Sequence, residues 1–321
     1  MSHFKVKSKL KLADLNLGDR VEESDFATLT DDGHFIQLEY VDDSDNVEPY
    51  NVKPGIWTIY KERGLKLKPT SFVNDKILSE FVYTKNISER IDKFFSKIHV
   101  YYEHGIEVPK RGILLYGPPG TGKSTTIGKV CGQYALDGKT AIVVWTTDKF
   151  DAGDVKDFIK SFSYQGVERL ILVAEDIGGV EVNEVKMKSD PSLLSLLDNQ
   201  EKTFKIPTLI LATTNFPEIF LGNLTNRPNR FDDKIEVGFP DSSYRAELLK
   251  FFNKKETTEE ELTLIKSKKC EEFTPAHIRE AILRSDIFDK TLHSSITEMV
   301  DEIELFKKAF SKRKATGFGL S

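Results

Sequence analysis

The chain is poor in the residues that staple a fold covalently or carry it across a membrane. Two cysteines, Cys131 and Cys270, occur in 321 residues. That is too few for a disulfide framework or a sulfur-ligated zinc site, and it fits a reducing compartment. No apolar run approaches the ~18 residues that crossing a bilayer requires. The basic start Met1-Ser-His-Phe-Lys-Val-Lys7 is followed by no apolar stretch of signal-peptide type. The expectation is a cytoplasmic protein with no membrane span. Positive charge is not in excess either: 46 Lys and Arg stand against 51 Asp and Glu, a net charge of -5. Nucleic acid is therefore a disfavoured partner, although a local basic groove is not excluded. Internal repeats and low-complexity stretches are absent. What is present is an ordinary globular composition, 39% hydrophobic and 30% charged, at a length that suits two packing units and a small third.

Residues 1–83 read as a small accessory β-rich domain without a chemical motif. Lys5, Lys7, Lys9 and Lys11 alternate with Val6, Ser8, Leu10 and Leu12, the period of a strand with one wet face. Twelve acids and one base, Arg20, fall between Asp14 and Glu48, the mark of a solvated surface. Short strand-like runs follow at Phe35–Tyr40, Gly55–Tyr60 and Leu65–Leu67. A helix is expected next, with Asn86 and Glu89 as a capping box and a stripe of Ile91, Phe94, Phe95, Ile98 and Tyr102. His99 and His104 on it are five apart, which does not suit a helical metal pair.

Five apolar runs then alternate with helical stretches: Gly112–Tyr116, Ala141–Trp145, Leu170–Val173, Thr208–Ala212 and Ile235–Val237. Strands apolar on both faces belong in a parallel sheet covered by helices, so residues 84–240 read as an α/β core. Residues 241–321 read as a helical domain and tail, in which Thr274 before Pro275 marks a helix start.

The sharpest signal is Gly117-Pro-Pro-Gly-Thr-Gly-Lys-Ser124, which fits G-x-x-x-x-G-K-[ST] between a strand and a helix. A chance match in a chain of this length arises about one time in a hundred. Phosphate oxygens need a concave row of backbone N–H donors, and Gly120 and Gly122 permit both the dihedrals and the close approach. Pro118 and Pro119 have no N–H and stiffen the entrance. Lys123 would reach the outer phosphates and the Ser124 hydroxyl would ligate Mg²⁺. Leu170-Ile-Leu-Val-Ala-Glu175-Asp176 supplies a strand ending in two acids, one for the magnesium shell and one to orient and deprotonate water. Asn215, after the next strand, can hydrogen-bond water and the γ-phosphate without adding negative charge. Arg227 and Arg230, in Asn226-Arg227-Pro-Asn-Arg230-Phe-Asp232, suit the charge that develops on a transferred phosphoryl group.

Together with the entry Val108-Pro-Lys-Arg-Gly-Ile-Leu-Leu-Tyr-Gly-Pro-Pro-Gly, these motifs resemble the AAA family of the AAA+ ATPases. The specific resemblance covers about Asn86 to Asp241, and the helical pattern beyond is compatible with the family's lid. It implies a P-loop α/β domain with a C-terminal helical lid, ATP and Mg²⁺ as cofactors, and ATP hydrolysis. Gly117–Ser124 becomes the Walker A loop, Glu175 and Asp176 the Walker B pair, and Asn215 sensor 1. Arg227 and Arg230 fall on arginine-finger positions, which act on ATP held by the adjacent subunit, so a homo-oligomeric ring, commonly a hexamer, is implied. Pro118, Pro119, Gly120, Thr121, Gly122, Lys123, Ser124 and Thr125 would line the nucleotide site, with the phosphate donors running from Gly120 to Ser124, and Ile106 and Ala276 would lie near adenosine. One departure is the Walker B order, Glu then Asp, which resembles the mitochondrial AAA protein that assembles respiratory complex III. By position Glu175 faces magnesium and Asp176 is the base, with exchanged roles as the alternative. Phe150 lies where the family has a pore aromatic, with packing on its own domain as the alternative. The resemblance implies a ring ATPase acting on a protein substrate or through an adaptor. The alternatives are a clamp- or helicase-loader type of nucleic-acid factor and an ATP-gated scaffold.

Overall fold

The structure is a computed structural model and describes residues 2–11, 26–29, 34–42, 50–62, 64–71, 82–146, 152–177, 196–197, 203–217 and 231–315. In chain order its first half comprises β1 (Ser2–Lys11), β2 (Phe26–Leu29), β3 (His34–Asp42), β4 (Tyr50–Val52), β5 (Gly55–Lys61), β6 (Leu65–Pro69), α1 (Val82–Ser96), α2 (Ile98–Glu103), β7 (Lys110–Tyr116), α3 (Lys123–Tyr134) and β8 (Thr140–Thr146). There follow α4 (Ala152–Lys160), β9 (Phe162–Tyr164), β10 (Arg169–Glu175), β11 (Thr208–Thr214), β12 (Asp233–Glu236), α5 (Ser242–Phe252), α6 (Glu259–Lys266), α7 (Pro275–Ile287) and α8 (Leu292–Ala315).

The alternating lysines of the first residues do lie on a strand: β1 pairs antiparallel with β3, and β2 pairs with the other edge of β3. The main sheet has seven strands in the order β12-β7-β11-β10-β8-β5-β6, parallel throughout except for the terminal β5–β6 pair. All five apolar runs enter it. So do Gly55–Lys61 and Leu65–Pro69, which the sequence pattern grouped with residues 1–83; β5 pairs with β8 from Gly55↔Ala141 to Thr58↔Val144. The sheet therefore continues across the boundary expected at residue 83.

The two faces of the sheet follow the strand period of two. Ile113, Leu115, Ile142, Ile171, Val173, Leu209 and Leu211 pack with Ile87, Ile91 and Phe94 of α1 and Ile127 and Val130 of α3. Leu114, Val143, Trp145, Leu170, Leu172, Ile210 and Ala212 face the other way, toward Val155 and Ile159 of α4 and Phe162 of β9. Each fully buried Ile or Leu contributes about 1.5–3 kcal/mol, so this double burial holds the strand ends rigid.

Helix α1 starts at Val82, four residues before the Asn86 that the capping pattern suggested. Asn86 lies inside the helix, where its side-chain oxygen accepts from Arg90 Nε at 2.6 Å. The expected single helix is also broken, by a turn at Lys97 between α1 and α2. The C-terminal helices enclose a separate core of Leu248, Leu249, Ile265, Phe273, Ile278, Ala281, Ile296 and Val300. Thr274 caps α7, with Pro275 in its first turn and a reciprocal bond from His277. Buried Arg245 ties this unit to its entry segment. Its guanidinium donates to the carbonyls of Pro240 and Ile265, each at 2.8 Å, and to those of Lys266 and Ser267. Among the described residues no helix is long and apolar enough to cross a membrane.

Candidate functional site

Parallel pairing sets the ends of β7, β10 and β11 side by side: Thr214 is opposite Tyr116, and Ala174 is opposite Ala212. Everything that follows those ends in sequence meets there. After Tyr116 the chain turns at Gly117, whose φ of 147° brings its backbone against β12's exit. A Cβ at this position would lie 2.3 Å from the carbonyl oxygen of Val237. Gly120 and Gly122 also have positive φ, 76° and 95°, and Gly122 is the residue before α3. Lys123, Ser124 and Thr125 form the first turn of α3, where backbone donors and the helix dipole favour an anion.

The Lys123 ammonium is buried and donates to the carbonyls of Gly117 and Pro118, each at 2.8 Å. Burial lowers its pKa, and the negative charge of Asp176 opposes that shift. The Thr121 hydroxyl also donates to Pro118 O, at 2.9 Å, while Pro119 is exposed. The loop is thus shaped by a lysine poised at its mouth.

Glu175, the last residue of β10, is half-buried and accepts a hydrogen bond from the Ser124 hydroxyl. Burial raises its pKa; the Ser124 bond counters this, and the neighbouring Asp176 charge adds to it. A hydroxyl and a carboxylate in contact beside the loop are hard oxygen donors of the kind Mg²⁺ takes. This donor pair, rather than a cluster of protein ligands, fits a metal shared with nucleotide phosphates. No group of three His, Cys, Asp or Glu suited to a metal occurs among the described residues.

Asp176 is exposed and has φ 53°, a conformation that costs a non-glycine residue about 1–3 kcal/mol unless its surroundings impose it. Thr213 imposes it. The Asp176 N–H donates to Thr213 Oγ1 at 2.9 Å, and the Ile177 N–H donates to Thr213 O at 2.8 Å. The Asn215 amide then donates to Asp176 Oδ1 at 3.4 Å. Sequence reasoning passed over Thr213 although it stands two residues before Asn215. A hydroxyl directly after the apolar run Leu209–Ala212, at the buried end of the strand, is the signal that could have found it.

A cavity of about 380 Å³ opens beside Thr121, with Tyr83, Phe239, Pro240, Tyr244 and Pro275 in its wall. The lid reaches the loop here. The Ala276 N–H donates to Gly120 O at 3.4 Å, and a Cβ on Gly120 would stand 3.0 Å from Thr274 Oγ1. Ile106 follows α2, is 43% exposed, and donates its N–H to Tyr101 O; it does not line this cavity. Arg227, Arg230 and Phe150 lie outside the described residues. Just after these arginines in sequence, Asp232 exchanges hydrogen bonds with the backbone of Gly112, at 2.9 and 2.7 Å.

A glycine loop between a parallel strand and a helix, with its lysine and hydroxyl facing two acids at a neighbouring strand end, defines a P-loop nucleoside triphosphatase. The comparisons narrow the class. Residues 113–239 match the family described as "ATPase family associated with various cellular activities (AAA)". The ATPase family gene 2 protein of Schizosaccharomyces pombe is 27% identical over 156 residues, 44% of this chain and 18% of that protein. The ATP-dependent zinc metalloprotease FtsH 1 of Petrotoga mobilis is 27% identical over 243 residues, 71% of this chain and 35% of that protein. The cell division cycle protein 48 homolog of Archaeoglobus fulgidus is 27% identical over 186 residues, 56% and 25% of the two chains. Over residues 113–239, less than half of the chain, the match and the relatives support an AAA-type ATPase domain; members of that family bind ATP with Mg²⁺ and hydrolyse it. The chain spans about a fifth to a third of the length of these three relatives.

Proposed function

We propose that this chain is a Mg²⁺-dependent ATPase that works as a ring, favoured as a hexamer, and spends the hydrolysis cycle on remodelling, threading or disassembling a protein. The observation that carries the ATPase part is the meeting of Lys123, the Ser124–Glu175 pair and the Asp176–Asn215 pair at three adjacent strand ends. Bound Mg²⁺ would supply charge neutralisation for the phosphates, with Ser124 and Glu175 as the residues that hold it. Lys123, on leaving the Gly117 and Pro118 carbonyls, pairs with the outer phosphates. Asp176 takes the proton of the attacking water, and Asn215 holds both that carboxylate and the water in line. The cavity beside Thr121 suits the nucleoside, with Tyr83, Phe239 and Tyr244 as its aromatic walls. That assignment favours Tyr83 over Ile106 as the base contact.

Action on a protein is supported at the level of the family and by relatives whose names include a protease. The ring is supported by the family's general habit and by the placement of Arg227 and Arg230 in the sequence. The direct test is an Asp176→Asn chain loaded with ATP. It should hold nucleotide, stop turning over, assemble on a sizing column only when ATP is present, and retain a protein client. DNA-stimulated turnover of the unsubstituted chain would instead favour a nucleic-acid factor.

A further inference from the structure

At the end of the sheet remote from the phosphate loop, α1, α2 and the start of β7 enclose a half-open cavity of about 600 Å³. Four cationic side chains line it: Arg90, Lys93, Lys97 and Arg111. Arg90, Lys93 and Lys97 recur at helical spacing and so form one stripe along α1 and its end. Arg111 enters from β7 and donates to the Tyr101 hydroxyl at 3.5 Å, while Phe94 and Val100 give the cavity an apolar wall.

Two acids adjoin these cations, Asp233 and Glu89, and Glu89 is the one carboxylate among the described residues of the cavity wall, against four cations. Asp233 accepts from both Arg90 and Arg111, the latter at 3.0 Å, and Glu89 faces Lys85 at 4.0 Å. Lys93 and Lys97 are exposed, and no carboxylate among the described residues pairs with either. Neighbouring like charges repel one another, and a cationic cavity with low-dielectric walls concentrates its field on whatever enters. The volume lies in the range that small ligands occupy.

We propose that this cavity is a second anion site, separate from the nucleotide loop, and that it takes a small soluble ligand carrying two or more phosphate groups. Lys93 and Lys97 supply point charges, and Arg90 and Arg111 supply planar donors suited to phosphate oxygens. A ligand on the two arginines competes with Asp233, the first residue of β12, for the same guanidinium groups.

The test is calorimetric titration of the full chain with inorganic pyrophosphate after Mg²⁺–ADP has saturated the loop. One equivalent should bind. The Lys93→Gln/Lys97→Gln chain should bind at least about tenfold more weakly, with its ADP affinity and unfolding temperature unchanged. Both lysines lie outside the core, so this variant should fold. Absence of pyrophosphate binding, or equal binding by the double variant, overturns the proposal. Binding of a hexaglutamate peptide in place of pyrophosphate also overturns it, since the occupant would then be an acidic protein segment.

Discussion

Asp176 is exposed, yet its backbone is fixed in the left-handed region by a threonine 37 positions later in the chain. If that bond aims the carboxylate, Thr213→Val should lower ATP turnover about tenfold, the effect of one lost hydrogen bond of about 1.4 kcal/mol. The KM for ATP should stay unchanged, because the Thr213 side chain bonds to the backbone of Asp176; steady-state kinetics separates the two. Gly117 carries a different constraint. With φ at 147° and a Cβ 2.3 Å from Val237 O, Gly117→Ala should lower the unfolding temperature by several degrees, about 1–3 kcal/mol, and weaken nucleotide binding in parallel. Residue types in the loop and after the strands were legible because phosphate and magnesium chemistry demands them at fixed spacing. Thr213 was not legible as an orienting group, because its role depends on two strands distant in sequence lying side by side.

Among the elements, α7 shows how capping chemistry carries a pH dependence. His277 sits in the capping box, where Nδ1 accepts from the Thr274 N–H at 3.1 Å, and that role requires an unprotonated nitrogen. Burial holds its pKa below the ordinary 6.5. The unfolded chain therefore takes up a proton at higher pH than the folded one. The stability from this group is present above about pH 6.5 and is lost as pH falls toward the lower folded value. Thermal unfolding at pH 7.5 and 5.5 should show that loss. His277→Gln, which keeps an acceptor at the same capping position but cannot titrate, should show less of it. Thr274 and Pro275 marked the start of α7 in the sequence because caps are local. Asn86 misled for the same reason: an Asn three residues before a Glu matches a cap, but α1 had already begun at Val82, and Arg90 claimed the side chain.

Across the whole molecule, apolar runs revealed the five core strands but not their order, since order is set by helices packing on both faces rather than by any one run. The order also explains why β5 and β6 escaped the core: their alternating pattern belongs to a sheet margin, and β6 places exposed Lys66 and Lys68 on that margin. The proposed ring bears on catalysis because the site sets the Lys123 charge near that of Asp176, with Glu175 beside Asp176, while the triphosphate it must hold is itself anionic. Further cations are needed as charge develops on the γ-phosphate, and Arg227 and Arg230 are proposed to come from a neighbouring copy.

Mixing two inactive chains tests that division of labour. Lys123→Ala cannot hold ATP but keeps both arginines; Arg227→Ala/Arg230→Ala holds ATP but cannot complete a neighbour's site. If each reaction centre is shared between copies, an equimolar mixture should regain ATP hydrolysis, because some double-alanine protomers then border Lys123→Ala protomers that lend them arginines. If the mixture stays as inactive as its components while both variants co-assemble on a sizing column, each chain completes its own site and the shared centre does not exist.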